Sequence, residues 1–111
     1  MSRNNSFFTL DLLVLSVLKR GDNYGYGISS MIEEESNGSF KIKEGVLYPI
    51  LYKLNKKKMI SSYEVPINRR IRVYYKIEKE GVEELEHLVN EFYSGYMAID
   101  SLIKSGREAH E

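Results

Sequence analysis

The reading of this chain turns on Glu44-Gly45-Val46-Leu47-Tyr48-Pro49-Ile50-Leu51-Tyr52-Lys53-Leu54. After Lys56-Lys57-Lys58 it is followed by Ile60-Ser61-Ser62-Tyr63-Glu64-Val65 and Ile71-Arg72-Val73-Tyr74-Tyr75-Lys76-Ile77. In the first string Leu47, Ile50, Leu51 and Leu54 recur at helical spacing, and Lys53, Lys56 and Lys57 lie on the opposite face. Residues 44–58 are therefore expected to be an amphipathic helix. Pro49 removes a backbone donor and disfavours helix just before it, so it fits only if the helix begins close to residues 45–48. The two later runs, rich in β-branched and aromatic residues, predict strands over 60–65 and 71–77. Pro66-Ile67-Asn68-Arg69-Arg70 makes the turn between them.

Upstream, Thr9 can cap a first helix, with Leu10, Leu13, Val14, Val17 and Leu18 at helical spacing, Lys19 and Arg20 in its last turn and Gly21 as its stop. Asp22 or Asn23 can cap a second helix from Tyr24 to about Glu35, closed by Asn37-Gly38. Ser39-Phe40-Lys41-Ile42-Lys43 alternates with period two and predicts a short extended segment. Downstream, residues 79–104 read as one long helix. The order helix, helix, helix, hairpin, helix is that of a winged helix-turn-helix, in which the third helix enters the major groove and the hairpin lies along the neighbouring backbone or minor groove. The expected fold class is mainly α with a small β-hairpin (α+β). A winged helix-turn-helix in residues 1–78 is followed by a C-terminal dimerisation helix and tail in 79–111, one compact domain overall.

Charge points the same way. Residues 41–76 hold ten basic side chains against Glu44 and Glu64, a net of +8 in a chain of 111 residues that is formally neutral. Tyrosines are interleaved with the cations, as on a nucleic-acid surface, although a basic run can also be only a solvated helix face. The absence of cysteine removes disulfides, thiolate zinc sites and cysteine nucleophiles. The longest apolar run is far too short to span a bilayer, and Met-Ser-Arg-Asn-Asn-Ser lacks the features of a secretory signal, so a soluble cytoplasmic protein with no membrane partner is expected. His87 and His110 are the only histidines, and no metal spacing, nucleophile elbow or carboxylate pair accompanies them. Neither catalysis nor a metal or cofactor is expected.

Tyr24-Gly25-Tyr26-Gly27-Ile28 lacks the third glycine and the preceding strand of a dinucleotide fingerprint, so its glycines are expected to let the second helix start close to a neighbour. Tyr48 and Tyr52 either face the groove or rim the core. Arg69, Arg70 and Arg72 flank the hairpin turn; protection of a strand edge needs fewer cations, so contact with a DNA backbone or minor groove is expected. In the last helix Val82, Leu85, Val89, Phe92, Tyr96, Ile99 and Ile103 alternate by three and four, a seam for a partner helix. A helix of about 25 residues spans nearly 40 Å, more than so small a domain covers. Part of it should lie on its own domain and the rest against a second subunit, giving a two-fold dimer suited to palindromic double-stranded DNA.

Taken together, Tyr24-Gly25-Tyr26, Leu47 to Leu54, and Arg72-Val73-Tyr74-Tyr75-Lys76-Ile77 followed by Gly81 resemble the PadR family of bacterial transcriptional regulators, over roughly Leu10 to Leu88. The resemblance implies a homodimeric winged-helix repressor of the short branch, with C-terminal helices crossed between subunits and a small, often aromatic, effector. The chain departs from the family pattern at Gly27 (usually Glu), Lys43 (Ser or Thr), Val46 (Thr), Lys58 (Gly) and Glu78 (Thr), and it has no tryptophan. Tyr48, Pro49, Tyr52 and Lys53 are expected at or near the major groove, Lys43, Lys56 and Lys57 on phosphates, and Arg69, Arg70 and Arg72 in the wing. Phe92, Tyr93, Tyr96 and Met97 would line either a small aromatic pocket at the dimer centre or plain dimer packing. The rival reading is a winged-helix protein-interaction module without specific DNA binding.

Overall fold

The computed structural model describes residues 8–109; residues 1–7 and 110–111, His110 among them, lie outside the described residues. The elements are α1 (Leu10–Arg20), β1 (Asn23–Tyr24), α2 (Gly25–Glu35), α3 (Glu44–Lys56), β2 (Ile60–Ile67), β3 (Arg70–Ile77) and α4 (Lys79–Glu108). The order is that of a winged helix-turn-helix with one more strand than the two expected. Asn23 and Tyr24 pair antiparallel with Tyr75 and Tyr74, making a three-stranded sheet in the order β1-β3-β2.

α1 runs through the middle of the molecule. Val14, Leu15 and Leu18 are fully buried against Ile28 and Ile32 of α2, Leu47, Leu51 and Leu54 of α3, Ile60 of β2, and Leu85 and Leu88 of α4. Val14, Leu18, Ile28, Ile32, Leu47, Leu51, Leu54 and Leu85 are positions that helical spacing selects, joined by Leu15, Ile60 and Leu88, and among the described residues no polar or charged side chain is buried with them. Truncating one of the fully buried leucines therefore costs both its burial and a cavity, about 2–5 kcal/mol.

Helix ends depart from the expectations in instructive ways. Thr9, Lys43 and Glu78 occupy the N-cap positions of α1, α3 and α4, but none of their side chains caps the helix. The Glu78 carboxylate instead accepts the Ser61 hydroxyl at 2.6 Å, which ties the start of α4 to β2. Both α2 and α3 close with the paired six-to-one and five-to-two bonds that satisfy the last carbonyls: Gly38 to Glu33 and Asn37 to Glu34, then Met59 to Leu54 and Lys58 to Asn55. Asn37-Gly38 suits that turn, but Lys58 holds φ 64° there, a left-handed conformation that costs a residue with a Cβ about 1–2 kcal/mol. Part of that cost returns through the greater unfolded-state freedom of glycine. Lys58→Gly is therefore expected to raise the unfolding free energy by about 0.5–1 kcal/mol, read as a higher urea midpoint at unchanged slope.

Three expectations are corrected. Pro49 is not in the first turn: α3 begins at Glu44, so Pro49 is its sixth residue. The donor it lacks would have reached Gly45, which is exposed, so water can serve that carbonyl. Residues 39–43 form no strand: they have no neighbour to pair with, and Ile42 alone turns into the core. The hairpin is longer than predicted and its loop shorter. Ile67 faces Arg70, leaving Asn68 and Arg69 as a two-residue loop, both at positive φ (49° and 68°) as in the turn that matches strand twist.

α4 has 30 residues, and the molecule measures 66 × 27 × 24 Å. Its first half lies on α1, and from Tyr93 onward nearly every described residue is exposed. No helix among the described residues is long and apolar enough to cross a membrane.

Candidate nucleic-acid interface

The third helix is seated by its apolar stripe, with Leu47, Leu51 and Leu54 buried, which turns Val46, Tyr48, Pro49, Tyr52 and Lys53 outward. The two tyrosines differ. Tyr52 stands free on the surface, whereas the phenol of Tyr48 lies against Gly25: a Cβ there would overlap the Tyr48 hydroxyl. Tyr48 thus joins α3 to the start of α2, and Gly25 is buried for that reason, as the packing role expected of Tyr24-Gly25-Tyr26 requires. Neighbouring Tyr75 has its pKa raised above the ordinary tyrosine value, chiefly by burial and then by proximity to Tyr48.

Lysines bracket the helix. Lys43 precedes it, Lys56 and Lys57 end it, and all three are exposed with no ion-pair partner among the described residues. Lys53 is different: its ammonium lies 2.8 Å from the carboxylate of Asp11 on α1, with side-chain exposures of 47% and 18%. Sequence reasoning placed Lys53 on the basic face but missed that pairing, because Asp11 reads only as an interruption of an apolar run.

On the wing, Arg69 and Arg70 are exposed at the tip, and the described residues offer them no carboxylate. Arg72 is half-buried on the outer face of the sheet, its guanidinium 4.1 Å above the centre of the Tyr24 ring. Tyr24 abuts Tyr74 at 5.5 Å between centroids, Tyr74 stacks on Tyr63 at 5.9 Å, and the Tyr63 hydroxyl donates to the Asp22 carboxylate at 2.6 Å. That hydrogen bond, with burial and the Asp22 charge behind it, raises the Tyr63 pKa above its ordinary value. The bond's contribution is complete below the ordinary tyrosine pKa and is lost as pH rises through the raised one. Tyr24 and Asp22 were expected only around the start of a helix, so no sequence signal marked this cluster.

The seam expected of α4 divides. Leu85 is buried in the protomer's own core and Val89 and Phe92 pack against that core, while Val82 is half-buried. Tyr93, Tyr96, Met97, Ile99, Leu102 and Ile103 remain between 42% and 73% exposed. Phe92 contacts Tyr93 edge-on at 5.0 Å and stacks with Tyr96 at 6.3 Å, so three of the four residues expected around an effector are already in contact, with Met97 exposed beside them. His87 is exposed, its Nε2 3.2 Å from Glu91 one helical turn away, and the described residues contain no group of metal-ligating side chains.

Comparison with known proteins agrees with this architecture. A transcriptional regulator from Clostridium thermocellum is 33% identical, with 83% of this chain and 90% of that one covered at a TM-score of 0.77. A PadR family transcription regulator from Clostridium difficile is 28% identical, covering 85% and 97% at a TM-score of 0.73. PadR of Bacillus subtilis, solved in complex with operator DNA, is 26% identical over 72% of this chain and 46% of its own, at a TM-score of 0.67. The model of the transcriptional regulator PadR-like family matches residues 14–87, from the core of α1 into α4. By that match the chain belongs to the PadR-like family and is a transcriptional regulator rather than an enzyme.

Proposed function

We propose that the chain is a homodimeric repressor that binds palindromic double-stranded DNA through α3 and the wing. The observation that carries this reading is the placement of unpaired cations: Lys43, Lys56 and Lys57 at the ends of α3, and Arg69 and Arg70 on the wing tip. The acidic surplus lies elsewhere, much of it on α4. Tyr48, Pro49, Tyr52 and Lys53 face the major groove, the lysines hold phosphates, and Arg69, Arg70 and Arg72 follow the backbone or minor groove. The operator complex of Bacillus subtilis PadR supports DNA as the partner.

Residues 1–78 are then the DNA-binding part and 79–111 the dimerisation part. The exposed apolar stripe from Tyr93 to Ile103 supports the dimer, because a surface of that kind is normally covered. A small aromatic effector would lie among Phe92, Tyr93, Tyr96 and Met97, and Tyr96→Ala would abolish the tyrosine fluorescence change it causes. No cofactor takes part, and a protein acting on the chromosome works in the cytoplasm.

Fluorescence anisotropy against duplex DNA from upstream of its own gene, beside a scrambled duplex, tests the reading. A preference of about 10³-fold or more for the upstream duplex is expected. Equal, weak and steeply salt-dependent binding to both would overturn it in favour of a protein-interaction module.

A further inference from the structure

The geometry points to Tyr24 as a positioning residue for DNA binding: its ring holds the Arg72 guanidinium in place for a phosphate, braced by Tyr74, Tyr63 and Asp22. This rests on the DNA-binding reading above. Arg72 has no carboxylate partner among the described residues, so its charge is available, yet the side chain is half-buried over a ring rather than loose in solvent. A planar guanidinium 4.1 Å above a phenol ring gains from the ring's negative face while its edge stays free to hydrogen-bond.

The ring beneath it is itself fixed. Tyr24 pairs through its backbone with Tyr74, their rings touch, and Tyr74 stacks on Tyr63 almost in parallel, at 17°. Asp22 holds the far end of the row by accepting the Tyr63 hydroxyl. The row begins and ends in the segment between α1 and α2, so it crosses from the helix-turn-helix to the wing and back. Tyr24 also directly precedes Gly25, where Tyr48 of α3 is seated. The cation is therefore referred to the recognition helix by two adjacent residues, not carried on a free hairpin. An arginine ordered before binding loses less freedom when it meets a phosphate.

The test compares wild type, Tyr24→Leu, Tyr24→Phe, Arg72→Ala, Arg72→Lys and the Tyr24→Leu/Arg72→Ala double variant by anisotropy on the upstream duplex across salt concentrations. Arg72→Ala is expected to lower the slope of log affinity against log salt by about two per dimer. Tyr24→Leu should reproduce that loss, and Tyr24→Phe, which keeps the ring, should match wild type. The double variant should be no worse than Arg72→Ala. Arg72→Lys, which keeps charge without a stacking plane, should fall with the alanine variant, and it serves even if Tyr24→Leu unfolds. The inference is overturned if Tyr24→Leu keeps the wild-type slope, if the two losses add, or if lysine substitutes fully for Arg72. A wild-type protein with no duplex preference would instead overturn the regulator reading itself.

Discussion

Gly81→Ala is expected to lower the unfolding free energy by about 2–3 kcal/mol, a large share of the 5–15 kcal/mol typical of a domain. Gly81 is the third residue of α4 and is buried where that helix crosses the start of β2. A Cβ there would overlap the Met59 carbonyl oxygen and stand 2.8 Å from Cγ1 of Ile77. Ile77 has some freedom to yield, but the carbonyl has little, because it already accepts the Glu78 amide at 2.9 Å and the next residue, Ile60, is fully buried. Making room means lifting α4 from the core at the end that holds Leu85 and Leu88. Thermal unfolding followed by circular dichroism should show a fall of about 10 °C. Gly106→Ala is the control: it lies in the same helix with nothing within 4 Å of an added Cβ, so there the better helix propensity of alanine should stabilise by about 0.5–1 kcal/mol. Equal effects at both sites would mean that α4 is not seated on Met59.

The second large effect is on binding. The Arg69→Gly/Arg70→Ala variant is expected to weaken duplex binding by about 10³-fold at 0.1 M salt and to lower the log–log salt slope by about three to four. Two arginines on each of two wings account for that size if each neutralises one phosphate. The choice of glycine makes the result unambiguous. Arg69 sits at φ 68° in a two-residue loop that favours Asn-Gly, so Arg69→Gly relieves backbone strain while removing a charge. Stability should hold or rise as affinity falls, which separates loss of contact from loss of fold. An unchanged slope would take the wing tip out of the interface.

Much of the fold is legible in the chain because it rests on local periodicity. Leu47, Leu51 and Leu54 read as a buried stripe and are one; Asn37-Gly38 reads as a helix stop and is one. What escaped depends on distant partners. Asn23 and Tyr24 are a strand only because Tyr74 and Tyr75 come alongside, and two residues carry no period of their own. Residues 39–43 have the alternation of a strand but pair with no strand of the sheet. Tyr63 and Asp22 are 41 positions apart, and Asp11 meets Lys53 only when α1 and α3 pack together. The basic character of the site was visible; which cations are free and which are held was not. Lys58 shows the reverse case: nothing about lysine signals a left-handed turn, and the glycine usual in related chains marks the same backbone demand.

The ion pair between Asp11 and Lys53 gives the recognition helix an uneven electrical profile. Its midsection presents Tyr48, Pro49, Tyr52 and a lysine already balanced by the protein's own carboxylate, while bare positive charge is left at Lys43 on one side and Lys56 and Lys57 on the other. A major groove has the complementary profile, a floor of base edges between two walls of phosphate. The flanks can therefore grip any duplex while the midsection adds little attraction of its own. On the DNA-binding reading proposed above, stray DNA would be held loosely at the walls, and the extra hold on an operator would have to come from how well the floor fits the charge-balanced middle.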